Sequence, residues 1–393
     1  MSYIQKHIQV VEKLINGYNN SLPYSVYLKD YFSKNKKHGS KDRKSISHLS
    51  YTFLRLGNCL AELDFNTRLN VAIFLSNNKM PSYAAVLYQD SLLENWPDEI
   101  DQRIEIVKGI YPSFNQADLL PFSTAELSEG IDANEFILQH FSQPKLFARI
   151  RPGKKATVLN KLEAANVEYK LIEDSCLALN NTTSLDSILR LNEEIVIQDY
   201  SSQKVATIFQ YINNKGAHLK VWDCCAASGG KSILMYDNIS NLYLTVSDIR
   251  ASIIANLKVR FKKAGIKEYD AFVANVAESN TNHKNKFDIV IADVPCTGSG
   301  TWGRTPEYLS TFKTNTLQSF TDRQKQIVTN IAGNINKGGY LIYITCSCLN
   351  AENEAIIEYF KAQNINYTLL HQTVLEGYLN NADTMYMAIL QNV

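Results

Sequence analysis

Apolar residues recur at helical spacing through the first third of the chain. Ile4, Ile8, Val11, Ile15 and Tyr18 share one face, as do Ile46, Leu49, Phe53 and Leu56. Near Pro144 the pattern changes. LFARIRP reads as a strand, Thr157–Ala165 as a helix and VEYKLI as a second strand, a small α/β module. From about Ser201 strands and helices alternate. HLKVWDC is a strand that ends in the turn AASGG, with a helix opening at Lys231, and Leu242–Ser247 is the next strand. Ile253, Ile254, Leu257, Phe261 and Ala264 form one face of a helix that stops at Gly265. AFVAN, FDIVIAD and GYLIYITC follow as strands, and runs such as Ile289–Ala292 suit a parallel sheet buried on both faces. The pattern predicts an α/β protein with three regions: helical over 1–140, a small α/β module over 141–200, and a doubly wound domain over 201–393. Ligands of such a domain bind at the carboxyl ends of its strands.

Composition narrows the class. The chain has 393 residues, 45% of them hydrophobic and 20% charged, enough for two or three folded domains and unlike a disordered chain. Forty Lys+Arg against 39 Asp+Glu leave a net charge of +1, so any nucleic-acid contact must come from local patches. Two patches qualify. SKNKKHGSKDRK carries Lys34, Lys36, Lys37, Lys41, Arg43 and Lys44 and reads as a solvated loop able to meet phosphates. Arg149, Arg151, Lys154 and Lys155 cluster at the start of the small module. The longest apolar runs fall short of the roughly 20 residues that span a bilayer. The opening MSYIQKHIQVVEKL has charges within its apolar stretch, unlike a secretory signal. Seven cysteines, an odd number, read as reduced thiols of a cytoplasmic protein.

The chemistry gathers at strand ends. Gly229-Gly230 after the first strand of the large domain let the backbone approach a ligand, and the helix that follows favours negative charge. Lys231-Ser232 suggests a phosphate-binding loop, but that motif needs a glycine where Cys225 stands. Asp248 ends the next strand, at a spacing suited to an adenosine ribose; nicotinamide dinucleotides and S-adenosylmethionine both fit such a turn and acid. Asp293 and Cys296 end one later strand and Cys346 another, so a parallel sheet brings them to one rim. Paired thiols suit methylation at cytosine carbon 5. A thiolate added to carbon 6 makes carbon 5 nucleophilic, a carboxyl near N3 relieves the charge, and a second thiol assists release. Spacing alone leaves open which cysteine attacks.

DCCAASGGKS, VSDIR, ADVPCTGSGTWGRTPE and TCSCLNAENE resemble, in order and spacing, the Nop/Sun family of RNA 5-methylcytosine methyltransferases, whose bacterial members modify small-subunit ribosomal RNA. The resemblance covers about Pro144–Val393 and includes VIQDYSSQ and ADTMYMAIL. It implies a Rossmann-like class I methyltransferase domain, with the small α/β module as an RNA-binding extension and S-adenosylmethionine as cofactor. Carried over by position, Cys225, Ala226, Ala227, Ser228, Gly229, Gly230 and Lys231 form the cofactor turn. Asp248 takes the ribose hydroxyls, Asn275 lies near the adenine, and Asp293 sits between cofactor and cytosine. Cys346 is implied as the nucleophile and Cys296 as the thiol that promotes release, with Asp293 and Lys231 completing the catalytic set. Three positions depart from the family. Ser228 replaces a proline, which is expected to loosen the turn. Asn275 replaces an acid, and Gly303 replaces the first of an arginine pair, leaving Arg304. The helical region 1–140 invites comparison with the NusB-like domain of some bacterial members but carries no motif of its own for it.

The reading is a cytoplasmic, monomeric RNA cytosine-C5 methyltransferase, with ribosomal RNA ahead of transfer RNA as substrate, and with neither a metal nor a membrane. A non-catalytic RNA-binding ribosome-assembly factor and a methyltransferase of exocyclic amines are the competing classes. The intact Cys296, Cys346, Asp293 and Lys231 speak against the former, and the thiols are superfluous for the latter.

Overall fold

The computed structural model describes residues 3–84, 96–213, 216, 218–278 and 285–393. They fall into two compact units. The first, Met1–Ala125, Asp132–Gln143 and Trp302–Thr314, is helical. Its helices are α1 (Tyr3–Gly17), α2 (Tyr24–Lys34), α3 (Ser40–Leu54), α4 (Phe65–Ser76), α5 (Ile100–Ile110) and α6 (Ala133–Leu138). The buried stripe of α1 runs Ile4, Ile8, Val11, Leu14, so Ile15 is left half-exposed. Asp64 caps α4 by accepting from the amides of Asn66 and Thr67. The segment 302–314, which chain order alone joins to the strand before it, is sewn into this unit. Buried Glu307 accepts from the Tyr24 amide at 3.0 Å.

The basic stretch is mostly not a loop, contrary to expectation. α2 runs to Lys34 and α3 begins at Ser40, leaving 35–39 between them. The physical reason is the cap of α3: Asp42 reaches back to the Gly39 amide at 2.8 Å. Lys34, Lys36, Lys37, Lys41 and Lys44 remain exposed; Arg43 is half-buried, its Nε donating to the His38 carbonyl at 2.9 Å.

The second unit is Glu126–Ile131, Pro144–Thr301 and Asn315–Val393. Its smaller sheet holds β1 (Leu146–Ile150), β2 (Tyr169–Ile172), β3 (Cys176–Leu179) and β4 (Ile195–Ile197) in the order β2-β3-β1-β4. Helix α7 (Lys155–Ala164) packs Val158 and Leu162 into its core. A short helix, α8 (Tyr200–Lys204), capped by Asp199, leads onward. The larger sheet comprises β5 (Leu219–Asp223), β6 (Leu242–Asp248), β7 (Tyr269–Val273), β8 (Phe287–Asp293), β9 (Ile335–Thr345), β10 (Tyr367–Leu375) and β11 (Met385–Asn392). Their order is β10-β11-β9-β8-β5-β6-β7. β5 to β9 pair in parallel, but β11 is antiparallel to both β9 and β10, so the sheet is mixed. Helices α9 (Gly230–Asn238), α10 (Ala251–Ala264), α11 (Asn315–Ala332) and α12 (Glu354–Gln363) accompany it. Two apolar clusters result. Val221, Ile233, Leu257, Ile291 and Ile342 belong to one, and Trp222, Val290, Ile327, Leu341 and Phe360 to the other. Successive strand residues point to opposite faces, which is why the continuous apolar runs feed both.

Arg149 and Arg151, expected at the RNA surface, are structural. Arg149 Nη1 donates to Asp237 Oδ2 at 2.6 Å, and Arg151 Nη2 to Asp237 Oδ1 at 2.6 Å. The Arg149 and Asp237 side chains are 6% and 3% exposed, so no phosphate can displace the carboxylate without unburying a charge. Asp237→Ala strands two guanidinium groups and is expected to cost about 3–5 kcal/mol of stability. Asp174→Ala, which removes an exposed partner of Lys155, should cost about 1 kcal/mol or less. Urea unfolding of the two variants measures the contrast, and equal midpoints would overturn it.

Candidate active site

Strand β5 delivers the chain to the turn Cys224–Gly229. The turn is pinned by backbone bonds to both neighbouring strands: the Cys224 amide donates to the Ile291 carbonyl at 2.9 Å and the Ala226 amide to the Ser247 carbonyl at 2.9 Å. Gly229 has φ of 84°, and a Cβ there would lie 2.7 Å from Phe261 Cε1, so only glycine both turns the chain and admits α10. Ser228 is tethered from α10. Arg260 of α10 donates to its Oγ at 2.6 Å and to its carbonyl at 2.9 Å, replacing the stiffness of a proline ring with a tether.

Asp248, at the end of β6, is 7% exposed. Its Oδ2 accepts from the Ala227 amide at 3.1 Å and its Oδ1 from the Arg250 amide at 2.9 Å, which aims the carboxylate across the turn. A cleft of about 540 Å³ opens here. Cys225, Ala227, Asp248, Asn275, Asp293, Cys296 and Cys346 all line it. Ala226, Ser228, Gly229, Gly230 and Lys231 are not among its lining residues. Asn275 lies two residues beyond β7, its amide donating to Glu278 at 2.7 Å. Ile249, Val276, Pro295 and Ile327 add apolar wall, and Arg323 of α11 a positive charge.

The two strand-end cysteines meet on the wall of the same cleft. The Sγ atoms of Cys296 and Cys346 are 3.2 Å apart. Contact with Cys346, and then burial, pushes the Cys296 thiol well above the ordinary cysteine range. Lys231 Nζ lies 3.2 Å from Asp293 Oδ2, with the lysine side chain 9% exposed and the aspartate 30%.

Residues that pattern reading passed over hold the two thiols. Glu352 is fully buried and accepts from the Thr297 amide at 2.8 Å and from Gln324 Nε2 at 3.0 Å. Gln324 Nε2 also donates to the Pro295 carbonyl at 3.0 Å, so the Cys296 loop hangs from α11 and Glu352. The Gly300 amide donates to the Cys346 carbonyl at 3.0 Å, and a Cβ on Gly300 would lie 2.0 Å from the Thr384 carbonyl oxygen. Gly300 and Glu352 sit inside the motifs TGSG and AENE, so the signal was present but not its meaning.

Residues 210–390 match the sequence model of a family described as 16S rRNA methyltransferase RsmB/F. Among curated relatives, the probable ribosomal RNA small subunit methyltransferase B of Bacillus subtilis is 29% identical over 59% of this chain and 52% of its own length. The ribosomal RNA small subunit methyltransferase F of Shewanella piezotolerans is 27% identical over 49% of this chain and 40% of its own. The chain spans about half the length of the curated relatives it matches. Among solved structures, PH0851 superposes with a TM-score of 0.68 at 18% identity, covering 100% of this chain and 99% of that one. NSun6 from Pyrococcus horikoshii, solved with SFG, gives a TM-score of 0.57 at 12% identity over 67% and 94% of the two chains. The fold is therefore that of the RsmB/F and Sun-type methyltransferases, whose methyl donor is S-adenosylmethionine. Among the described residues no helix is long and apolar enough to cross a membrane, and no cluster of metal ligands is found.

Behind this cleft, Asp223 is fully buried with Oδ2 accepting from Ser232 at 2.6 Å and Oδ1 unpartnered. Burial, aided by the negative charge of Asp293, pushes its carboxyl up to about 7. The folded value thus exceeds the unfolded one, near 4. Folding retains a proton between those limits, so this contribution is full below about pH 4 and lost as pH rises to about 7. Asp223→Asn should therefore gain stability relative to the wild type as pH rises through that window. Parallel pH profiles in urea unfolding would refute it.

Proposed function

We propose that this protein is an S-adenosylmethionine-dependent RNA cytosine-C5 methyltransferase acting in the cytoplasm. The observation that carries the reading is the approach of two thiols to 3.2 Å at the rim of a cleft that also holds Asp293 and Asp248. Methyl transfer to oxygen or to an exocyclic amine needs no such pair. The names of the relatives favour small-subunit ribosomal RNA over transfer RNA.

The donor set of the cleft fits S-adenosylmethionine. Asp248 retains acceptor capacity for a ribose diol, apolar side chains flank space for an adenine, and Asn275 offers an amide. Cys225 and Ala227 of the turn and Asp293 line the same space, and Lys231 stands behind Asp293. When bound, the cofactor supplies an electrophilic methyl group.

The remaining steps belong to the chain. Cys346 Sγ, as thiolate, adds to carbon 6 of a cytosine lifted from its stack, and carbon 5 becomes enamine-like. Asp293, held by the Lys231 ammonium, takes the proton that the Cys346 thiol gives up and passes it to N3, which offsets the developing charge. After carbon 5 is methylated, its proton leaves to solvent with the assistance of Cys296, the double bond reforms as the bond from Cys346 to carbon 6 breaks, and the N3 proton returns through Asp293 to the Cys346 thiolate. Single-stranded loops or helix ends are the accessible targets.

Two experiments test this. Cys296→Ala incubated with cytosine-containing RNA and S-adenosylmethionine should accumulate a slow-migrating protein–RNA adduct on a denaturing gel. Cys346→Ala and the double variant should form neither adduct nor 5-methylcytosine. An adduct confined to Cys346→Ala would reverse the two roles, and methylation by all three variants would end the thiol mechanism.

With Arg149 and Arg151 committed to Asp237, the task of meeting RNA phosphates falls to the exposed lysines Lys36, Lys37, Lys41 and Lys44. Replacing all four by glutamine should lower RNA affinity and flatten its dependence on salt, by about one in slope for each phosphate left without its lysine. A slope unchanged from the wild type places the RNA-binding surface elsewhere.

A further inference from the structure

Lys231 is tethered on its far side by a residue outside the Rossmann-like domain's own strands. Its Nζ donates to Ser202 Oγ at 2.8 Å as well as facing Asp293. Ser202 lies on α8, in the QDYSS segment that the chemistry above leaves unused. The hydroxyl is itself oriented. Gln198 Nε2 donates to Ser202 Oγ at 3.1 Å and to its carbonyl at 3.3 Å. Gln198 Oε1 accepts from Arg149 Nε at 3.0 Å, which decides the flip of the amide: with its oxygen toward the guanidinium, its nitrogen must face Ser202. Arg149 in turn is clamped to Asp237. Lys231 stands in the first turn of α9 and Asp237 in the last, so the bonds leave one end of this helix and return to the other.

Both lone pairs of the Ser202 hydroxyl are then engaged, one by Gln198 and one by Lys231, and toward the lysine it acts as a fixed acceptor. A buried ammonium without enough acceptors either moves or loses its proton. The ionisable groups around Lys231 are Asp293 on β8 and Asp223 at the end of β5; on its other side it is met by the neutral Ser202, with Asp237 and its two guanidinium partners, Arg149 and Arg151, beyond. We propose that Ser202, oriented by Gln198 and Arg149, is a positioning residue that holds the Lys231 ammonium in place at Asp293. The proposal rests on the reading of Asp293 and Lys231 as part of a methyl-transfer site. It makes the small module a structural part of that site in addition to any contact with RNA.

The test compares Ser202→Ala, Ser202→Thr and Gln198→Met with the wild type. Ser202→Ala should lower kcat for cytosine methylation about tenfold, as misplacement of a reacting group does, with KM for RNA and for S-adenosylmethionine unchanged. Ser202→Thr, which keeps the hydroxyl, should restore kcat, and Gln198→Met should show a smaller loss of the same kind. Independently of turnover, the Nζ resonance of Lys231 in protein labelled with ¹⁵N-lysine should shift in Ser202→Ala and return to its wild-type position in Ser202→Thr. Wild-type kcat together with an unmoved Lys231 resonance overturns the proposal and leaves the reaction assignment standing. If the resonance moves but the wild-type protein methylates no RNA, the tether stands and the reaction assignment falls.

Discussion

Parallel pairing of β5, β8 and β9 is the constraint on which the site depends. Parallel strands end on a common edge, and the register fixes how far each reaches. Asp223 pairs with Ile291, so β8 runs two residues further, to Asp293. Asp293 pairs with Ile344, so β9 places Cys346 just past the same edge. The loop after Asp293 then needs only three residues to bring Cys296 back against Cys346. A slip of one residue in either pairing would send these side chains to the opposite face. Apolar burial on both faces of the sheet makes such a slip costly, so the hydrophobic runs that build the core also set the reactive geometry.

Two buried ion pairs share this unit and serve different ends. Asp237 is nearly sealed and carries two guanidinium groups, with hydrogen bonds that use both of its oxygens. Such a cluster joins β1 of the smaller sheet to α9 beside the larger one. Asp293 is also paired with a buried cation, yet its own side chain stays 30% exposed toward the cleft. Exposure of the acid, rather than the presence of a salt bridge, sets Asp293 apart from Asp237. Asp223 completes the set: a third acid, fully enclosed, whose charge would oppose that of Asp293, and which burial instead keeps protonated to about pH 7.

The thiols depend on groups with no chemistry of their own. Glu352 and Gln324 hold the Cys296 loop, and Gly300 lets the chain pass close enough to bond the Cys346 carbonyl. Such close packing leaves the two thiols little freedom.

The sequence by itself determined the alternation of strands and helices, the glycine turn before α9, the acids and cysteines at strand ends, and their gathering on one rim. Those features are local: a strand declares itself by its apolar run, and a turn by its glycine. The antiparallel β11 and the place of 302–314 in the helical unit were not legible, because each is decided by what packs against it. The same holds for charges. Arg149 and Asp237 are 88 residues apart, and as a basic cluster at a strand end the arginines looked exposed. Ser202 and Lys231 are 29 residues apart and share no pattern that periodicity could detect. Which charge meets which, and which is left facing solvent, depends on distances that only the folded chain defines.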